Sequence, residues 1–305
     1  MVTSHHSLAT GNATPSPGGR MAGIARTSRA ARLGISRSVL WHSSALVVVA
    51  AMVVPFLWMA STSLESLPQM LHYPPTLVPP RPEWHNYVSI FQDMPLARYL
   101  LNTVVIVGLS IVGQLLTCSL SGYAFARLRF TGSKALFAAL MIALIVPPEV
   151  IVVPQFLLFK TVGGLNTYVP LVLPWWLVGA IGTFLFRQFF RSVPRALEEA
   201  AMIDGGKRWQ VFRYVYLPLA RPISTTVAIF TMVTQWNNLI FPVVFLQSNS
   251  LLPITVGITS FQSQYSTHWN LLMAATLLSI LPMLLLYAFG QRYFVQGMAT
   301  RGVEK

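Results

Sequence analysis

Only eight carboxylates occur in the 305 residues, and three of them, Glu198, Glu199 and Asp204, share one stretch, EEAAMIDGGKRWQVFRYVYLPLARP, with Lys207, Arg208, Arg213 and Arg221. Charge gathered this way suits recognition of another surface. Side chains for covalent or metal chemistry are dispersed: the six histidines are scattered, and the one adjacent pair, His5 and His6, lies near the start. Cys118 is the single cysteine, which excludes an internal disulfide or a multi-cysteine metal site and reads as a small core residue. No catalytic set and no metal site are therefore expected, since either needs a cluster. No G-x-x-x-x-G-K-[ST] phosphate loop occurs either, so no nucleotide cofactor is expected on this chain.

A second group of polar residues interrupts apolar runs. Glu149 follows Pro147-Pro148, and Gln155 lies six residues on. A carboxyl deep in a span costs about 2.5 kcal/mol or more, so Glu149 should face protein or water, or be protonated. Its two readings are a place on a transport pathway and a structural role at the proline break; Gln155 carries the same pair. Further on, QWNN places Gln235, Trp236, Asn237 and Asn238 together. Amides and an indole combine donors, acceptors and a stacking face, which suits a hydroxyl-rich ligand. They suit hydrogen bonding between helices equally well. Glu149, Gln155, Trp236, Asn237 and Asn238 are thus the pathway candidates.

The elements that must position these groups belong to a membrane protein. The chain is 54% hydrophobic and 10% charged, with mean hydropathy +0.60, values that set aside an ordinary soluble domain. Six apolar runs approach or exceed the about 20 helical residues a bilayer needs: 39–61, 100–126, 135–157, 170–190, 223–246 and 270–291. The fold class predicted is all-α and polytopic, with six transmembrane helices. With residues 1–38 placed in the cytoplasm, 18 of the 21 Lys and Arg fall on that side, and only Arg81, Arg98 and Lys160 on the other. The positive-inside rule then sets both termini and the 192–222 loop in the cytoplasm, and the formal charge of +13 becomes a sign of topology, not of nucleic-acid binding. Residues 1–38, rich in Ser, Ala, Gly, Arg and Thr, read as a disordered tail, leaving 39–305 as the membrane domain. A cleaved leader is the rival reading of 39–61. The proline-rich segment 62–97 is an external loop with Trp84 and Tyr87 at the interface.

Within 192–222, Ser192 is suited to cap a helix and Pro194 to its first turn. Glu198 and Glu199 lie near the positive end of that helix. Leu197, Ala200 and Ala201 are spaced to form one close-packing face. Gly205-Gly206 ends the helix, a second amphipathic piece carries Trp209, Phe212 and Tyr216, Pro218 breaks it, and Pro222 opens the fifth span. Helix, glycine turn and second helix form a docking shape; the plainer alternative is an interfacial hairpin joining two spans.

Glu199-Ala200-Ala201, Asp204-Gly205, Phe212, Leu217-Pro218 and Pro222 resemble the EAA loop of permease subunits in bacterial binding-protein-dependent ABC importers. FFRSVPRALEEAAMIDGG resembles the sugar-importer version, the type of the maltose permease G subunit. The likeness extends to GYAFARLRFTGSK (122–134), VPQFLLFKTVGGLNTYVPLVLP (153–174) and QWNNLIFPVVFL (235–246), and covers most of the chain from about residue 40. Gly206 stands where that family usually has alanine. The resemblance implies a type I importer permease fold in the bacterial plasma membrane. It also implies that Glu198, Glu199, Ala200, Ala201, Asp204, Gly205 and Gly206 form a coupling element. Its partners would be a second homologous permease subunit, two cytoplasmic ATPase subunits that bind ATP and Mg, and an extracytoplasmic solute-binding protein. A secondary transporter, which would carry more intramembrane acid and base groups, and a membrane enzyme, which would show a clustered catalytic set, are the alternatives from other classes.

Overall fold

The computed structural model describes residues 19–299 apart from 71, 75–76, 178 and 263–266, with side chains described between 39 and 288. Its helices are α1 (Gly19–Ser63), α2 (Leu67–Met70), α3 (His85–Asp93), α4 (Leu96–Arg127), α5 (Ser133–Ile142), α6 (Pro148–Thr161), α7 (Val169–Leu177), α8 (Ala180–Ser192), α9 (Arg195–Ile203), α10 (Arg208–Val211), α11 (Leu217–Leu219), α12 (Arg221–Trp236), α13 (Ile240–Phe245), α14 (Ile254–Thr259) and α15 (Trp269–Ala299). No β-strand occurs among the described residues; Gln262 and Thr267 form one isolated bridge.

Four stretches are long and apolar enough to cross a membrane: Val39–Ser63, Leu96–Arg127, Val169–Ser192 and Trp269–Ala288. Two bent pairs, Ser133–Ile145 with Pro148–Thr161 and Arg208–Leu219 with Arg221–Trp236, bring the number to six if each pair is one span. The third run is therefore not the continuous helix expected. Its halves meet at 103° around Pro147-Pro148, because neither proline has an N–H to extend the preceding helical ladder. The fifth run ends its main helix at Trp236, within QWNN, and resumes as α13.

The chain divides into two compact units, 1–58 and 59–305. The first is helical from Gly19 and thus begins its helix well upstream of residue 39, inside the segment read as a tail; residues 1–18 lie outside the described residues. Alanine and arginine, both good helix formers, are frequent in this upstream part.

In the second unit α4 is central. Its buried residues, among them Tyr99, Thr103, Ile106, Ser110, Gln114 and Cys118, recur every three or four positions, and the helix packs on α7, α8 and α12. The seam with α8 is close: a Cβ on Gly182 would lie 2.6 Å from Cys118 Sγ, so only glycine lets the backbones approach this far. Cys118 donates its S–H to the Gly179 carbonyl at 3.2 Å, which agrees with its reading as a small core residue. The largest core cluster gathers Tyr123 from α4, Phe186 and Phe190 from α8, and Phe212 and Tyr216 beyond α10. It forms the base from which α9 projects.

Candidate docking arm

The arm runs from the end of α8 to the start of α12. Ser192 does not cap α9; its hydroxyl donates back to the Phe189 carbonyl at 2.7 Å, and Pro194 holds the N-cap position in extended geometry. The back-bond is available because Ser192 still belongs to the last turn of α8, where its own helix offers an acceptor. At the other end the glycine turn forms as expected. Gly205 has φ +86°, its N–H donates to the Met202 carbonyl at 3.1 Å, and the Gly206 N–H donates to the Ala201 carbonyl at 2.9 Å. These paired bonds are the Schellman arrangement, which needs a left-handed residue after the cap. Gly206 fits the same turn tightly, since a Cβ there would stand 2.6 Å from the Ala201 carbonyl oxygen. Gln210 then accepts from the Lys207 N–H at 2.7 Å and starts α10.

Beyond α10 the helix widens into a π turn over Phe212–Tyr216, and Leu217–Leu219 continues it. Pro218 does not break this stretch. The bend of 73° comes after it, at Ala220, where Pro222 in the next helix lacks an N–H to donate backward.

The faces of α9 differ. Glu198 is half-buried and its Oε2 accepts from the Tyr216 hydroxyl at 2.9 Å. Ala201 is half-buried against the aromatic cluster, so it does not share an outward face with Ala200. Glu199, Ala200 and Asp204 are exposed, and Ile203 stands 85% exposed at the tip. Leu197, Met202 and Trp209 are also exposed. An outward face of apolar side chains edged by two carboxylates, Glu199 and Asp204, suits recognition of another surface and brings together no reactive set.

The other sequence-selected residues are not brought to this arm. Glu149 is exposed in the first turn of α6, just after the 103° bend, so a depth counted along one continuous helix does not apply to it. Gln155 is half-buried and its Oε1 has no hydrogen-bond partner. Trp236 is buried with Val107 and Met232, and Asn237 is exposed, its amide donating to its own helix at Val233. Asn238 donates to Gln235 Oε1 at 3.1 Å, and Gln235 Nε2 donates to Ser110 Oγ at 2.8 Å and the Leu171 carbonyl at 2.9 Å. Most of the QWNN amides therefore join helices of this chain.

Two residues hold the arm that sequence reasoning gave no such role: Arg127, counted only for its charge, and Tyr216, placed only on an amphipathic piece. Arg127, at the end of α4, donates to the carbonyls of Phe190 and Val193, with its guanidinium 5.0 Å from the Tyr216 ring centre. Tyr216 is fully buried. The one signal for Arg127 was a cation at the end of an apolar run; for Tyr216 it was a hydroxyl on the inward stripe of an amphipathic piece.

Four to six stretches long and apolar enough to cross a membrane, with an exposed helix-turn-helix between two of them, describe a polytopic membrane protein. The chain belongs to the family described as binding-protein-dependent transport system inner membrane component, which matches residues 118–300. It is 33% identical over 246 residues, 81% of this chain and 89% of the relative, to the lactose transport system permease protein LacG of Rhizobium radiobacter. The arabinooligosaccharides transport system permease protein AraQ of Halalkalibacterium halodurans is 33% identical over 72% of this chain and 78% of its own length. The melibiose/raffinose/stachyose import permease protein MelC of Bacillus subtilis is 30% identical over 85% and 94%. In fold, the chain matches a bacterial ABC transporter involved in import of the acidic polysaccharide alginate, with TM-score 0.72 at 21% identity, over 93% of this chain and all of the other. It is thus a multi-pass permease component, and the expected importer fold is borne out.

Proposed function

We propose that this chain is one permease subunit of an ATP-driven importer that carries a carbohydrate or carbohydrate-like solute into the cytoplasm by alternating access. The substrate class is supported by the names of the relatives, which transport lactose, arabinooligosaccharides and melibiose-type sugars. Coupling is carried by one observation: α9 turns Glu199, Ala200 and Ile203 outward while its other side is bound to the aromatic base. A short helix so braced acts as a lever. Movement of a partner bound to it is passed to α8 and α12, and two arrangements of these helices alternate the access of a central path.

In this reading the domain 39–305 is the translocating unit, with 192–222 in the cytoplasm beside both termini. Two ATPase subunits, using ATP and Mg, dock on the arm and on its counterpart in a second homologous permease. An extracytoplasmic solute-binding protein delivers the solute on the opposite side. The excess of Lys and Arg on the arm's side supports the orientation. Glu199 makes a polar contact to the ATPase, Ala200 permits close approach, and Gly205 aims the helix. Family membership favours this reading over a secondary transporter or a membrane enzyme.

Reconstitution of the four-subunit membrane complex with its binding protein tests the coupling. Glu199→Lys should leave the chain in the membrane and abolish solute-stimulated uptake; uptake at the normal rate would sink the assignment.

A further inference from the structure

The adjacent glutamates of the arm do different things. One residue along an α-helix turns the side chain by about 100°. Glu199 therefore projects outward while Glu198 turns toward the base, where its Oε2 accepts from Tyr216 at 2.9 Å. Tyr216 is itself fixed. Its ring is fully buried 5.2 Å from that of Tyr123 and 5.5 Å from that of Phe190, centre to centre, beneath the Arg127 guanidinium. Arg127 in turn donates to the Phe190 and Val193 carbonyls, which belong to the last turn of α8 and the residue just after it. The two routes meet: Arg127 holds the chain where it enters α9, and Tyr216 holds the body of α9 one turn later.

We propose that Glu198, through Tyr216, is a positioning residue that seats α9 on its base and thereby sets the direction in which Glu199 is presented. This rests on the reading of α9 as the ATPase-docking element. A hydrogen bond to a carboxylate is among the stronger side-chain bonds, and here it joins α9 to a helix root already fastened by Arg127 and aromatic packing. The surroundings favour a defined seat. Tyr123 Oη and Arg127 Nε, on residues packed against the Tyr216 ring, are buried without a hydrogen-bond partner, and of this group Tyr216 Oη is the donor that reaches the Glu198 carboxylate. Without the bond the body of α9 rests on the base only through the packing of Ala201, and force from a docked partner tilts it before it reaches α8 or α12.

Tyr216→Phe keeps the ring and removes only the donor. In the complete reconstituted importer, uptake per ATP hydrolysed should fall about tenfold while the ATPase subunits still co-purify. Glu198→Gln keeps an acceptor oxygen and should lose less, and the double variant should lose no more than Tyr216→Phe alone. Uptake per ATP unchanged in Tyr216→Phe, or losses that multiply in the double variant, would overturn the proposal. If Tyr216→Phe does not accumulate in the membrane, Glu198→Ala must lower uptake per ATP and Glu198→Gln must restore most of it; equal values overturn it. Glu199→Lys is assayed in parallel. Uncoupling there with a normal Tyr216→Phe discards the seat alone, whereas normal transport by Glu199→Lys discards the docking reading beneath it.

Discussion

The arm at 192–222 and the QWNN break at 235–238 are both places where polar residues interrupt apolar chain, yet they use their polarity in opposite ways. At the break, Gln235 saturates its amide with Ser110, Leu171 and Asn238, and Asn238 also accepts from the Phe241 N–H at 3.4 Å while its carbonyl takes the Thr255 hydroxyl at 3.0 Å. Nearby, Asn166, in left-handed geometry at φ 57°, gives its whole side chain to Gln247 and Ser248. The arm keeps one glutamate inside and leaves Glu199 with an apolar tip outside. Polarity bonded within the chain is architecture; polarity held outward by a braced element suits the recognition proposed for the arm. By this measure the amides that most suggested sugar contact mainly join helices, and Asn237 alone of the QWNN set remains exposed.

The contrast breaks first at Gly205. Gly205→Val forces a β-branched residue into φ +86°, a conformation costing at least about 1–2 kcal/mol for a side-chain residue. It should abolish uptake while leaving membrane insertion intact, as read by transport and immunoblot of the membrane fraction. Next comes Gln235→Leu, which strands the Leu171 carbonyl, Ser110 and the Asn238 amide and should cost about 2–4 kcal/mol; a fall of several degrees in Tm in detergent is the measurement. Loss of transport without loss of Tm would instead make Gln235 a solute ligand. Gly206→Ala should shift the end of α9 at a cost of about 1 kcal/mol, seen as a modest drop in uptake per ATP, because its Cβ meets the Ala201 carbonyl. Asn237→Ala should change Tm least, within about 0.5 kcal/mol of stability, and any fall in its apparent affinity for solute would place solute contact there.

Local features of both regions were legible in the sequence; their partners were not. Gly205-Gly206 after a short amphipathic helix announces a left-handed turn wherever the rest of the chain lies, and the turn is there. The apolar runs likewise declare spans through length alone. Ser192, however, chose the carbonyl of the helix behind it over the amides ahead, a competition that composition does not decide. Pro147-Pro148 marked a break without its angle, since the 103° depends on what the two halves pack against. Arg127 and Tyr216 are separated by 89 positions, and nothing periodic in either segment signals that one ring lies under the other's charge.

The Cys118 seam makes the chain its own gauge. Sγ is enclosed between α4 and the Gly179 and Gly182 backbone, with no room for even a methyl group at either glycine. A thiol reagent thus reaches the sulfur only when these helices part, and the native sequence offers it no other thiol. Labelling rates compared with and without nucleotide would test whether that seam opens in the proposed transport cycle, with no cysteine to be introduced and none to be removed from this chain.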